Sequence, residues 1–224
     1  MENKANILKD CYMSHLNTER NNMAVRLEKA VQKLESGERL NIVALGDSLT
    51  YGWMVRKGYL DFFKELIQEK YPHGECVIHN RGIPGDTAEG GLQRLRHDVI
   101  DEDPDLVFIQ FGLNDAFSGV SPVRFEHALR TMVSEIRAST EAEILILTSV
   151  PVVFDGMDSL VDEIYRRCRI VAEQEQTALA EVHRFWQKRI DEGVPFQSLV
   201  QFDQVHPTTE GYRYMAEAII EVFV

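Results

Sequence analysis

Short apolar runs alternate along this chain with longer stretches whose apolar residues recur every three or four positions. Leu40-Asn41-Ile42-Val43-Ala44-Leu45, Cys76-Val77-Ile78-His79, Asp105-Leu106-Val107-Phe108-Ile109-Gln110 and Ile144-Leu145-Ile146-Leu147 have strand length and β-branched content, which predicts buried strands. Between the first two, Tyr59, Phe62, Phe63, Leu66 and Ile67 mark an amphipathic helix over 58–70, stopped by Tyr71-Pro72. A further helix runs to about Ile100, and Ser121-Pro122 opens another in the pattern of an N-cap followed by proline. The periodicity then predicts one long helix over 159–189 that buries Ile164, Cys168, Val171, Leu179, Val182 and Trp186. A short fifth strand near Leu199-Val200-Gln201 and a last helix follow. Strands that alternate with helices on short connections imply an α/β fold, a parallel sheet covered on both faces.

Ahead of the first strand, Met23, Leu27, Val31 and Leu34 stand at helical spacing in a polar segment that ends at Ser36-Gly37. Residues 1–38 are therefore expected to be a helical extension packed on a single domain of residues 39–224, with a dimerisation or lid element as the functional alternative. The chain's 224 residues suit one sizeable domain.

Charge narrows the partners. A net charge of -12 lacks the accumulated Lys and Arg on which binding to nucleic acid or anionic membranes depends. No apolar run is long enough to cross a bilayer, and no basic segment followed by an apolar run marks a secretory signal at the amino terminus. Cys11, Cys76 and Cys168 are odd in number and widely spaced, which argues against a disulfide framework or a thiolate metal site. They read as reduced thiols, and the expected location is cytoplasmic. The other histidines, His15, His73, His79, His97, His127 and His183, show no metal-ligand spacing, and the acidic run Asp101-Glu102-Asp103 reads as a solvated turn.

Four segments, each just after an expected strand, carry residues suited to one kind of chemistry. They hold Ser48, Gly85, Asn114, and the pair Asp203 and His206. In a parallel sheet all strand carboxyl ends lie on one edge, so residues scattered in sequence converge there. A serine hydroxyl needs a base to remove its proton, and a histidine needs an acceptor on its second nitrogen to hold its tautomer. Asp203 and His206 are close enough in sequence for that local bond, and Pro207 restricts the histidine backbone to extended conformations. The backbone N–H groups of Ser48 and Gly85 and the side-chain amide of Asn114 are donors of the type that stabilises an oxyanion. Taken alone, Ser48 also fits a helix N-cap, while Asp47 reads as a cap or brace and Asp115 as structural support. Tyr51, Trp53, Met54 and Phe117 follow these segments and suit either an ester pocket or core packing.

The four blocks resemble those of the SGNH hydrolases, also called the GDSL esterase/lipase family. Gly46-Asp47-Ser48-Leu49 looks like the nucleophile block, and Asn80-x-Gly82-x-x-Gly85-x-Thr87 like the block that donates to the oxyanion. Gly112-Leu113-Asn114-Asp115 and Asp203-Gln204-Val205-His206-Pro207 match the remaining two, and the likeness runs from about Leu40 to the end. Position 50 is Thr, so the Gly-x-Ser-x-Gly elbow of α/β-hydrolases is absent, as is the lysine of a phosphate-binding P-loop. The resemblance implies a three-layer, flavodoxin-like α/β/α sandwich on a five-stranded parallel sheet. It also implies a serine esterase with a Ser48-His206-Asp203 triad, acting on a small-molecule ester through an acyl-enzyme, without metal or cofactor. A non-catalytic acyl- or carbohydrate-binding module and an acyltransferase are the alternatives on the same fold, and a homo-oligomer is compatible with either.

Overall fold

The computed structural model describes residues 25–153 and 157–224. Five strands form one parallel sheet: β1 (Arg39–Gly46), β2 (Glu75–Gly82), β3 (Leu106–Gln110), β4 (Glu143–Leu147) and β5 (Ala178–Ala180). Their order is β2-β1-β3-β4-β5, a doubly wound arrangement in which the chain reverses direction across the sheet at β1 and β3. Helices 59–70, 182–191 and 209–220 pack together in one layer, and helices 88–93, 122–139 and 158–175 in the other. Every residue of β3 is buried, as expected for a central strand covered on both faces. The three-layer α/β/α prediction therefore holds.

Two elements differ from the sequence reading. The expected helix over 159–189 is two helices, Asp158–Glu175 and Val182–Asp191, with β5 between them. The break falls at Gln176, whose φ of 50° is left-handed and ends the first helix. The fifth strand is thus Ala178–Ala180 and not Leu199-Val200-Gln201. Residues Phe196–Leu199 form a helical turn instead, and Val200 makes only an isolated antiparallel bridge to Pro207. Pairing decided the matter: Ala178, Leu179 and Ala180 take up the open edge of β4 opposite Leu145, Ile146 and Leu147.

Met23, Cys11, His15 and the rest of the expected extension up to residue 24 lie outside the described residues. Its described helix, Glu28–Ser36, buries Ala30 and Leu34 and rests at the amino ends of the strands. The Glu143 carboxylate accepts the Lys29 and Ala30 N–H groups at 3.1 and 2.8 Å, satisfying donors that a helix start leaves open. Lys33 Nζ donates to Asp105 at 2.6 Å. This is the edge opposite Ser48, so helix 28–36 is no lid over that residue.

Candidate active site

Β1 ends at Gly46, and the chain turns at once into the single helical turn Ser48–Tyr51. Asp47, not Ser48, is the N-cap: its Oδ1 accepts the Leu49 N–H at 2.8 Å. Ser48 is left as the first helical residue, buried, with its hydroxyl uncommitted to capping. Gly52 closes the turn in the left-handed conformation, and both Gly52 and Trp53 donate N–H groups to the Ser48 carbonyl at 3.1 Å. The turn can fold back this tightly because its neighbours lack side chains. Gly46 and Gly82 pair across β1 and β2, and a Cβ on Gly82 would overlap the Thr50–Tyr51 backbone.

Behind the turn lies a buried polar network. Thr50 Oγ1 donates to Gln110 Oε1 at 2.8 Å and meets the Tyr59 hydroxyl at 3.0 Å. Gln110 Nε2 donates to Asp47 Oδ2 at 3.4 Å and to Ser149 Oγ at 3.3 Å. Burial raises the Asp47 pKa to about 7 against the pull of the Leu49 N–H and Gln110. Sequence reasoning missed Gln110. Its signal was a polar side chain closing the otherwise apolar run of β3.

The segment 201–207 delivers the imidazole. His206 Nε2 stands 2.8 Å from Ser48 Oγ, and His206 Nδ1 stands 2.6 Å from Asp203 Oδ2. Asp203 Oδ1 accepts the N–H groups of Val205 and His206, both at 3.0 Å, so one carboxylate shapes the loop and orients the ring. Gln204 between them adopts φ 58°, which tightens the turn. Gln201 clamps the two reactive segments together, its Nε2 donating to the carbonyls of Pro207 at 2.8 Å and Trp53 at 3.0 Å. The half-buried Trp53 ring lies 5.8 Å from the His206 ring. Tyr51, Met54 and Phe117 are exposed, which removes core packing as their role.

Gly85 and Asn114 occupy the ends of β2 and β3, the strands that flank β1. Ile83-Pro84-Gly85-Asp86 is a turn closed by the Asp86 N–H donating to Ile83 O at 3.1 Å. Proline second and a glycine at φ 81° third make it type II. Among the described residues the Gly85 N–H has no protein acceptor. Asn114 lies on the short helix Leu113–Phe117, and its Nδ2 spends one hydrogen on Asp86 O at 2.9 Å, leaving the other uncommitted. Asp115 is buried and accepts the Ala88 N–H at 3.2 Å, fitting its expected supporting part; burial raises its pKa to about 6.

Arg94 was not foreseen. It donates to Asp86 Oδ2 at 2.8 Å, Arg81 O at 2.8 Å, Asp98 at 2.7 Å and Gly46 O at 3.0 Å, tying the Gly85 turn to the end of β1. Asp98 is a local i,i+4 partner, but the bond to Gly46 O spans 48 residues and is what brings Arg94 to this edge.

Residues 44–214 match the GDSL-like lipase/acylhydrolase family. The chain belongs to that family. Among curated members, esterase TesA of Pseudomonas aeruginosa is 31% identical over 177 residues, covering 79% of this chain and 80% of the relative. The acetylxylan esterase of Geobacillus stearothermophilus is 26% identical over 214 residues, 84% of this chain and 94% of the relative. The arylesterase of Vibrio mimicus is 27% identical over 186 residues, covering 82% and 88%. Among solved structures, a variant of the acetyl-xylooligosaccharide esterase Axe2 superposes with a TM-score of 0.76 at 25% identity, covering 85% of this chain and 96% of that one. As a GDSL-type hydrolase the protein is an enzyme that cleaves carboxylic esters.

Proposed function

We propose that the protein is a serine esterase working through a Ser48-His206-Asp203 triad and an acyl-enzyme intermediate. The Ser48 O–H donates to His206 Nε2, and the His206 Nδ1–H donates to Asp203. As Ser48 Oγ forms its bond to the acyl carbon, the hydroxyl proton passes to Nε2 and the carbonyl electron pair moves onto oxygen. The Ser48 N–H, the Gly85 N–H and the second hydrogen of the Asn114 amide receive that oxyanion. Collapse expels the alkoxide, which takes the proton from His206. Water then repeats the sequence and frees the acid. No cofactor or metal takes part in this scheme.

The observation that carries the reading is the unbroken line from Asp203 through His206 to Ser48, at 2.6 and 2.8 Å. A fluorophosphonate should label Ser48. Ser48→Ala and His206→Ala should each lower kcat by about 10³-fold or more while the circular dichroism spectrum stays unchanged. Near-native turnover in either folded variant would remove that residue from the mechanism.

A further inference from the structure

Large apolar side chains are displayed almost entirely around the reactive edge. Apart from Val123 and Val224, every exposed one among the described residues lies on a segment that leaves the carboxyl end of a strand or flanks Asp203. Phe202 is 84% exposed, Met54 67%, Val153 58%, Tyr51 56% and Ile83 46%, with Phe117 less so. The opposite edge displays Lys29, Lys33 and Arg137 instead. A soluble protein scatters single exposed apolar residues over its surface; gathering them at one edge marks a place where apolar matter binds.

Two of these residues are continuous with the site. Met54 follows Trp53, whose ring faces His206 and whose carbonyl accepts from Gln201. Phe202 lies between Gln201 and Asp203. The clamp that joins the two reactive segments thus runs through the chain neighbours of both Met54 and Phe202. Met54 also adopts φ 54°, a left-handed conformation that glycine or asparagine would take at lower cost. A flexible, exposed thioether held on a disfavoured backbone is best accounted for by what the side chain touches. Ile83, whose N–H donates to Gly46 O at the end of β1, opens the turn that presents Gly85. Apart from the Tyr51 hydroxyl, these side chains offer nothing with which to bond the hydroxyl groups of a sugar.

We propose that Tyr51, Met54, Ile83 and Phe202 form an apolar rim that binds the alkyl or aryl chain of a dispersed ester. The preferred substrates then carry a chain of several carbons and are not acetylated sugars. This rests on Ser48 being the nucleophile. The test is a series of nitrophenyl esters from acetate to decanoate, kept below their micelle concentrations and run beside an acetylated xylo-oligosaccharide. Wild-type kcat/KM should rise by about tenfold or more between acetate and octanoate, because each methylene removed from water adds to binding. In the Met54→Ser/Phe202→Ser variant the ratio of octanoate to acetate should fall to near one.

A flat wild-type series, or faster turnover of the acetylated sugar than of octanoate, would overturn the proposal. So would a rise that appears only when the series is repeated above the micelle concentration, which assigns the rim to a lipid surface, or a dimer in sedimentation that the double variant dissociates. Fluorophosphonate labelling separates the two levels. Labelling at Ser48 with no chain-length dependence sinks the rim alone, whereas undiminished hydrolysis by Ser48→Ala sinks the nucleophile beneath it.

Discussion

Asp203 uses both carboxylate oxygens within its own loop, one on the two N–H groups that shape the turn and one on the His206 ring. Burial is the largest single influence on its pKa and acts to raise it. The Val205 N–H, the His206 ring and the His206 N–H together outweigh that and hold the carboxyl below its ordinary value. The group is thus an anion throughout the neutral range, suited to an imidazole that becomes charged. Asp203→Asn keeps an oxygen for the turn but places an amide beside Nδ1, or forces the ring into the other tautomer. We expect kcat to fall by about 10²- to 10⁴-fold with KM changed only a few-fold; an equal loss in KM would indicate a collapsed loop. Asp203 and His206 were legible in the sequence because their bond spans three residues. Gln110 was not, because its partners belong to segments tens of residues away, and neither was the bond by which Arg94 reaches Gly46 O, 48 residues back.

Elements were legible where the hydrophobic period was long and illegible where pairing set the structure. Strands β1, β3 and β4 fall within a residue of their apolar runs. β2 extends through Asn80-Arg81-Gly82, which reads as loop, because those residues pair with Ala44-Leu45-Gly46. β5 is Ala-Leu-Ala, a short segment without β-branched residues inside a helical period, and only the open edge of β4 makes it a strand. The same pairing explains a prediction about the nucleophile turn. At Gly82 a Cβ would stand 2.7 Å from the Thr50 carbonyl carbon and 2.8 Å from Asp47 O, backbone atoms that cannot swing aside. Gly82→Ala should cost about 3 kcal/mol in urea unfolding and most of the activity, because the turn carrying Ser48 must move. Gly85→Ala meets nothing within 4 Å and is strained only by its φ of 81°, so about 1 to 2 kcal/mol is expected. If Gly82→Ala were as mild as Gly85→Ala, the close approach of the two elements would not govern the site.

Among the described residues the perturbed carboxyl groups divide into two populations with opposite effects on stability. Asp98, Glu126, Glu163 and Asp203 are held below their ordinary pKa, Asp98 by the His97 ring and Arg94 against the cost of desolvation, Glu126 and Glu163 by arginines. A depressed carboxyl stabilises the fold above its unfolded pKa, and that contribution disappears as pH falls through the folded value. Most of these groups are partly exposed, so solvent screening keeps their share small. Asp47 and Asp115, packed behind the nucleophile turn and its neighbour, are raised to about 7 and about 6 by burial. A raised carboxyl binds its proton more tightly in the folded state, so the fold loses stability as pH climbs from the unfolded value to the folded one. The net charge of -12 adds repulsion in the same direction. Stability should therefore peak near about pH 4 and decline by a few kcal/mol toward about pH 7, the folded value of Asp47. Thermal melts across this range check it, and Asp47→Asn, which keeps an acceptor for the Leu49 N–H without a charge to bury, should flatten the decline. A wild-type melting temperature that climbs steadily through neutrality, or an Asp47→Asn curve parallel to it, would mean that the buried carboxyl beside Ser48 is not what limits the fold.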